Sequence, residues 1–202
     1  MTSLEQSWSR AWEHLQLSPP GDLFSTLIAA YNEPHRSYHS LQHLKECVAH
    51  FSEAIDLAVQ PGEVELALWF HDAIYDIRGQ HNELRSAEWA KQILIQAGAG
   101  TGVQQRVHGL IMATRHDAIP RDSDQQLIVD IDLAILGATP ARFNEYDEQV
   151  RTEYSWVPSF LYNMKRKDVL RSFLIREQIY STCRFRELYE HQARVNLQTA
   201  VS

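Results

Sequence analysis

The segment Leu66-Ala67-Leu68-Trp69-Phe70-His71-Asp72-Ala73-Ile74 is the most apolar stretch of this 202-residue chain. Pro61 favours the first position of a helix, and apolar residues cover nearly every side of the helix that would follow it, so we predict a helix in the middle of the fold. A carboxylate buried in such a helix is costly unless it is paired, protonated or coordinated. Asp72 therefore needs a partner, either a metal ion or other side chains that satisfy a His-Asp pair.

The hydrophobic pattern on both sides of this segment is helical. Apolar residues recur at three- and four-residue steps, and sustained alternation is hard to find. We expect an all-α protein of about eight to ten helices. The predicted helices cover about 4–17, 22–31, 38–58, 61 onward, 82–97, 103–115, 122–136, 139–155, 158–174 and 177–197. No repeat or long linker divides the chain, so we expect one domain over 1–202.

Composition excludes several classes of protein. The chain has 19 Lys and Arg against 26 Asp and Glu, a net charge of -7, which makes the surface a poor general binder of nucleic-acid duplexes. No apolar stretch approaches the roughly 18 to 20 residues that a bilayer requires, and Met1 to Gln6 lacks the basic and apolar pattern of a secretory leader. Two cysteines, Cys47 and Cys183, are too few for a disulfide framework. We expect a cytoplasmic protein without a membrane partner.

Two further groups contain metal-ligand residue types. In Tyr38-His39-Ser40-Leu41-Gln42-His43, the two histidines are four residues apart and project from one face of a predicted helix. They are either two ligands, a ligand and its catalytic neighbour, or two ordinary helix histidines. The apolar segment from Ile128 to Leu136 carries Asp130 and Asp132. Together with His71-Asp72, one of the two histidines and one of these two aspartates supply a two-His, two-Asp set for a divalent ion that leaves positions open to water.

This order of His, His-Asp and a distant Asp on a helical core resembles the HD superfamily of metal-dependent phosphohydrolases. The resemblance covers about 33–137, and the helices of about 139–198 would complete the HD-type bundle, with an ending similar to that of a small bacterial branch of predicted HD hydrolases. The stretch from Tyr38 to His43 also resembles the Tyr-His-Asn-x-x-His of cyclic-nucleotide phosphodiesterases.

The resemblance implies which residues bind the metal. His43 is then a ligand and His39 the general acid, although His39-Ser40-Leu41 also fits the pattern of a ligand followed by Ser-Leu, which keeps His39 as the alternative ligand. The other implied ligands are His71, Asp72 and Asp132. The Asp-x-Asp pattern of the family puts its second Asp on the metal, so Asp130 would support the site or serve as a cap.

Further residues are implied around the reaction. Asp76 matches an acidic position that helps to position the attacking water in the hydrolases of guanosine tetraphosphate. That branch has Glu-Asp where this chain has Tyr75-Asp76, so the substrate does not carry over. His116 lies where HD enzymes place a histidine that contacts the phosphate or a second metal.

Four residues are expected at the substrate: Arg36, Tyr38, Asn82 and Glu83. Arg36 could bind a phosphate with two hydrogen bonds, or it could cap its loop with Glu33. Asn82-Glu83 could equally provide an N-cap and an acid for the helix dipole.

The implied activity is hydrolysis of a nucleotide or other small phosphate ester by a metal-activated water. The cofactor would be one divalent ion, with Mn, Mg, Co, Ni, Fe and Zn not distinguished, and a second ion is not excluded. One alternative is a non-catalytic HD-type module that binds a metal or a nucleotide. The other is a di-iron oxygenase, for which His116 would be a further ligand. The sequence leaves homo-oligomerisation open.

Overall fold

A computed structural model of the chain describes residues 3–118, 120 and 122–202, and every regular element in these residues is helical. The all-α prediction is confirmed. The chain divides into two compact units, residues 1–129 and 130–202. The prediction of a single domain over 1–202 stays a prediction. None of the described helices has the length and apolar character needed to cross a membrane.

The described residues of the first unit form six helices and most of a seventh. They are α1 (Ser3–Leu15), α2 (Leu23–Tyr31), α3 (Leu41–Ala54), α4 (Pro61–Phe70), α5 (Asn82–Gln96), α6 (Thr101–Ala113) and α7 (Ser123–Asp132), whose last three residues fall past the division. The helices of the second unit are α8 (Pro140–Glu153), α9 (Ser159–Leu174), α10 (Cys183–Phe185) and α11 (His191–Val201). Single turns of 3₁₀-helix occur at Ile55–Leu57 and Leu133–Gly137, and a π-helical turn at Arg186–Glu190.

Helix α4 forms the core of the first unit, as predicted. Pro61 occupies its first turn, and every residue from Gly62 to Phe70 is buried. Helix α1 packs directly on it. The rings of Trp8 and Trp69 meet edge to face at 5.0 Å, and a Cβ at Gly62 would lie 2.8 Å from the Cβ of His14. Only glycine therefore lets α1 approach α4 this closely.

Two buried carboxylates of α4 are paired within the first unit. Glu65 accepts hydrogen bonds from Ser7 Oγ at 2.6 Å and from Arg10 Nε at 2.9 Å. Glu63 accepts two from the guanidinium of Arg106, at 2.7 Å and 2.6 Å. Because an unpaired buried charge is strongly destabilising, these pairs fix α4 against α1 and α6.

Helix α3 begins at Leu41 and not near Tyr38, so the expectation that His39 lies on a helix was wrong. The cause is local. Ser40 has an extended backbone (φ -114°, ψ -176°), and its N–H donates to the carbonyl oxygen of Tyr38 at 2.7 Å in a tight turn. His43 is therefore on the helix, while His39 lies in the turn before it.

The last predicted helix, from about 177 to 197, begins later in the structure: α10 starts at Cys183, and α11 starts at His191 after the π-helical turn. The backbone N–H groups of the residues preceding α10 donate hydrogen bonds to two carboxylates. Glu190 accepts from the N–H of Ile179, and Asp130 accepts from the N–H groups of Ser181 and Thr182, both at 2.7 Å. A chain whose N–H groups bond to side chains in this way cannot also form the first turn of a helix.

Candidate metal centre

The His-Asp pair lies at the C-terminal end of α4. The helix ends at Phe70, His71 is its C-cap residue, and Asp72 is in the turn that follows, which the Ala73 N–H closes on the Phe70 carbonyl at 3.0 Å. The prediction that the pair lies within the helix was therefore wrong: His71 and Asp72 lie one and two residues past its end. Leaving the helix frees both side chains from its regular spacing, so that they meet the same neighbours.

The His71 ring is oriented by the helix that it ends. Its Nδ1 lies 2.8 Å from the carbonyl oxygen of Leu68. A carbonyl only accepts hydrogen bonds, so Nδ1 carries the proton and donates it. In the neutral ring this leaves a lone pair on Nε2, which is the state of a histidine that binds a metal while its other nitrogen donates to the protein.

The Nε2 atom of His71 faces His43 and Asp72. The two Nε2 atoms are 3.1 Å apart, and Asp72 Oδ2 lies 3.1 Å from that of His71 and 3.5 Å from that of His43. Both imidazoles are buried, and the Asp72 side chain is 16% exposed. Burial by itself would raise the pKa of Asp72, but the nearby histidines, His71 foremost, outweigh it and hold this pKa below its usual range. The carboxylate is therefore anionic at neutral pH.

Cys47 is a further member of this cluster, and the sequence interpretation did not assign it to the site. It lies one turn after His43 on α3, is buried, and places Sγ 3.6 Å from His43 Nε2. Ligand-capable atoms of His43, Cys47 and His71 lie within 4.8 Å of one another, so these side chains could hold a metal ion. Asp132 is the last residue of α7, and its role as a ligand stays a prediction. The four-residue spacing from His43 was the available signal in the sequence.

The guanidinium of Arg36 donates hydrogen bonds to the backbone around the site. Its side chain is fully buried, and Nε donates to Glu33 Oε2 at 3.0 Å. Nη1 donates to the carbonyl oxygens of His39 and Asp72, and Nη2 to that of Ala73, at 2.6 to 3.1 Å. This is the loop-capping alternative. Four of its five N–H donors are used in this way. The phosphate-binding alternative for Arg36 stays a prediction.

A second brace comes from α2. The hydroxyl of Tyr31 accepts a hydrogen bond from the N–H of Asp72 and donates one to the carbonyl oxygen of Trp69, both at 3.3 Å. Tyr31 is fully buried, and burial raises the pKa of its hydroxyl well above the ordinary value. It therefore stays protonated and holds the backbone on both sides of His71.

His39 lies beside the cluster in an aromatic setting. Its ring stacks on Tyr75 at 4.2 Å between centroids and meets the buried ring of Tyr38 edge to face at 4.9 Å. The Tyr38 ring also packs on His43 at 4.8 Å. His43 has a ring nitrogen that faces His71, and Tyr38 contacts the imidazoles of both His43 and His39. The alternative that His39 is a ligand stays a prediction.

Asp76 and Asn82 are joined to each other across a loop. The side-chain amide of Asn82 accepts from the Asp76 N–H and donates to the Asp76 carbonyl oxygen, both at 3.0 Å. The Asp76 carboxylate is exposed and accepts from the N–H of Arg78 at 2.9 Å. Asn82 begins α5 and Glu83 provides the acid in its first turn. Asn82 therefore closes the loop between Asp76 and α5. Substrate contact by Asn82 and Glu83 and the catalytic role of Asp76 stay predictions.

The remaining predicted residues lie as follows. His116 follows α6 in a left-handed backbone conformation (φ +57°), and its role with phosphate or a second metal stays a prediction. Asp130 is buried and serves as the predicted cap, through the N–H groups of Ser181 and Thr182. Burial raises its pKa, and those hydrogen bonds oppose the shift.

The fold and the site define an all-α protein with a buried cluster of histidine, cysteine and carboxylate side chains that could hold a metal ion. Among known proteins, no family model, no curated protein and no solved structure matches this chain. The function must therefore be inferred from the residues themselves.

Proposed function

We propose that this protein is a metal-dependent phosphohydrolase of the HD type that acts on a nucleotide or other small phosphate ester. The observation that carries the proposal is the meeting of His43 Nε2, His71 Nε2 and Asp72 Oδ2 within 3.5 Å of one another. These are the residue types, in the chain order, that the resemblance to the HD superfamily led us to expect.

The distances fit a shared cation. Imidazole nitrogens bind divalent ions such as Zn²⁺ at about 2.0–2.1 Å, which puts two adjacent nitrogen ligands about 2.9 to 3.4 Å apart. The two Nε2 atoms are 3.1 Å apart. Without a cation, one of these facing nitrogens must carry a proton. With one, both direct lone pairs at it, and the Nδ1–H of His71 stays on the Leu68 carbonyl oxygen.

The proposed ligands are His43, His71, Asp72 and Asp132. A divalent ion held by them would lower the pKa of a bound water and stabilise negative charge on phosphoryl oxygens. The protein's contribution is position: Arg36 and Tyr31 fix the backbone of Asp72, and Leu68 fixes the ring of His71.

His39 is the proposed proton donor to the leaving oxygen. Stacking on Tyr75 and an edge-to-face contact with Tyr38 hold its ring in a fixed orientation beside His43. A general acid must be held in position near the atom that it protonates.

A second candidate function is a metal-binding module without catalysis. The observation that favours it is Cys47, because a thiolate added to two imidazoles and a carboxylate completes four protein ligands, as in closed structural zinc sites.

The test is elemental analysis of protein purified without chelator, followed by assays on phosphomonoesters, phosphodiesters and nucleotides with the metal found. Asp72→Asn removes one proposed ligand charge, and Asp22→Asn, at an exposed position, is the matched control. We expect metal-dependent hydrolysis that falls at least about 10²-fold in Asp72→Asn and is unchanged in the control. Full metal occupancy with no ester hydrolysed would instead support the non-catalytic module.

A further inference from the structure

Cys47 is placed as a ligand would be and not merely as a small core residue. Its thiol is 1% exposed, and its sulfur lies 3.6 Å from Nε2 and 3.7 Å from Nδ1 of His43. The same His43 ring faces His71 across 3.1 Å. The sulfur is therefore buried against the ring of a proposed metal ligand, where the imidazoles of His43 and His71 converge.

One of these distances agrees with a common metal ion. Zn²⁺ binds thiolate at about 2.3 Å and imidazole at about 2.0–2.1 Å, so at tetrahedral angles a sulfur and a nitrogen ligand are about 3.5 Å apart. The separation of Cys47 Sγ from His43 Nε2 is 3.6 Å. The sulfur is almost as close to Nδ1, at 3.7 Å, so coordination of an ion between the two Nε2 atoms requires the Cys47 and His43 side chains to rotate.

We propose that Cys47 is a thiolate ligand of the metal centre, together with His43 and His71, and that it makes the centre selective for Zn²⁺, Co²⁺ or Fe²⁺ over Mg²⁺ and Mn²⁺. The inference rests on the metal centre of the proposed function and narrows its choice of ion. Thiolates bind borderline and soft ions, whereas Mg²⁺ and Mn²⁺ prefer oxygen ligands. On binding, the S–H bond breaks, its proton goes to solvent, a sulfur–metal bond forms, and no atom changes oxidation state.

A thiolate ligand is compatible with catalysis. Catalytic zinc sites include sets with thiolate and imidazole together, provided that one position remains for water. The selectivity of Cys47 and the hydrolytic activity are therefore separate properties of one centre, and they can be measured separately.

The experiment uses Co²⁺ as the probe and absorption spectroscopy as the readout. The chain has two cysteines, so Cys183→Ser leaves Cys47 as the only thiol without altering the buried site. Metal-free wild type, Cys183→Ser and Cys47→Ser are each titrated with Co²⁺, and circular dichroism verifies the fold of each. We expect the near-ultraviolet thiolate-to-Co²⁺ charge-transfer absorption in wild type and Cys183→Ser, and its loss in Cys47→Ser.

Competition between Zn²⁺ and Mn²⁺ gives the second readout. Changes around a metal ligand cost 10- to 100-fold in affinity, so loss of a direct ligand in Cys47→Ser should weaken Zn²⁺ binding by more than about 100-fold. Mn²⁺ binding should change by less than about threefold, because Mn²⁺ gains little from sulfur.

Co²⁺ bound to Cys183→Ser without the charge-transfer absorption, or no Co²⁺ bound at all, would overturn the proposal even if Cys47→Ser did not fold. The outcomes also separate the two proposals. Ester hydrolysis without the thiolate charge-transfer absorption would support the phosphohydrolase and show that Cys47 is not a metal ligand. The charge-transfer absorption without hydrolysis of any ester would support Cys47 as a metal ligand and contradict the phosphohydrolase proposal.

Discussion

The imidazole of His71 is bound to its own helix: Nδ1 donates to the carbonyl oxygen of Leu68 at 2.8 Å. One nitrogen is thereby used by the fold, and the other is directed at His43 and Asp72. The two roles are carried by separate atoms, so substitution can separate them.

His71→Asn retains an amide N–H near the position of Nδ1 and removes Nε2. We expect the metal-free variant to keep a thermal midpoint close to that of the wild type but to show no rise with metal. In the wild type, metal at 100 times its dissociation constant should add about 2.7 kcal/mol. Thermal unfolding with and without Zn²⁺ measures both quantities, with the exposed His14→Asn as control. An equal rise in His71→Asn would show that His71 is not a ligand.

Arg36→Ala should destabilise the first unit. Removing the guanidinium leaves the carbonyl oxygens of His39, Asp72 and Ala73 without their donor, and each buried unsatisfied group costs about 1–3 kcal/mol. We expect a loss of at least about 2 kcal/mol in urea unfolding. The exposed Arg85→Ala should stay within about 0.5 kcal/mol of wild type. If Arg36→Ala were equally mild, Arg36 would not maintain the loop.

The two aspartates of α7 should respond differently to substitution. Asp130→Ala leaves two backbone N–H groups of 181–182 unsatisfied, so we expect about 2–3 kcal/mol lower stability with metal affinity retained. Asp132→Asn should weaken metal binding more than about tenfold. Urea unfolding and metal titration of both variants test these expectations. Weaker metal binding in Asp130→Ala and lower stability in Asp132→Asn would show that Asp130 is the ligand and Asp132 the structural residue.

His50 provides a pH test. Burial lowers the pKa of His50 below its ordinary value of 6.5, so the unfolded chain binds its proton more readily than the folded one. Above pH 6.5 the ring is mostly neutral in both states, so its ionisation does not lower the free energy of unfolding. As the pH drops from 6.5 to the lower folded-state pKa, proton binding by the unfolded chain lowers this free energy. In metal-free protein, His50→Gln should flatten the loss of stability between about pH 6.5 and 5. An unchanged slope would contradict this assignment.

The sequence predicted the parts of the fold that depend on local pattern. The apolar run after Pro61 predicted the core helix. The polar pair His71 and Asp72, unexpected in so apolar a segment, indicated where the candidate site lies. Periodicity did not locate the start of α3, because the extended backbone of Ser40 is a single-residue event within a helical pattern. His39 was therefore placed on the wrong element.

Two other features depended on contacts distant in sequence. Arg36 binds the backbone of Asp72 and Ala73, 36 and 37 residues away, and the sequence alone could not choose between that role and phosphate binding. Asp130 caps backbone about 50 residues downstream. The four-residue spacing of Cys47 from His43 is too common on helices to have singled it out in the sequence.

The Tyr31 hydroxyl, which joins the N–H of Asp72 to the carbonyl oxygen of Trp69, has a consequence for how this protein can vary. Both hydrogen bonds of this hydroxyl go to backbone groups, and phenylalanine would fill the same space. We expect the loss of one oxygen on α2 to leave the bundle intact while loosening the backbone from which the Asp72 carboxylate extends. If the proposed metal centre is correct, its affinity can be changed from a neighbouring helix without any alteration to the ligands themselves.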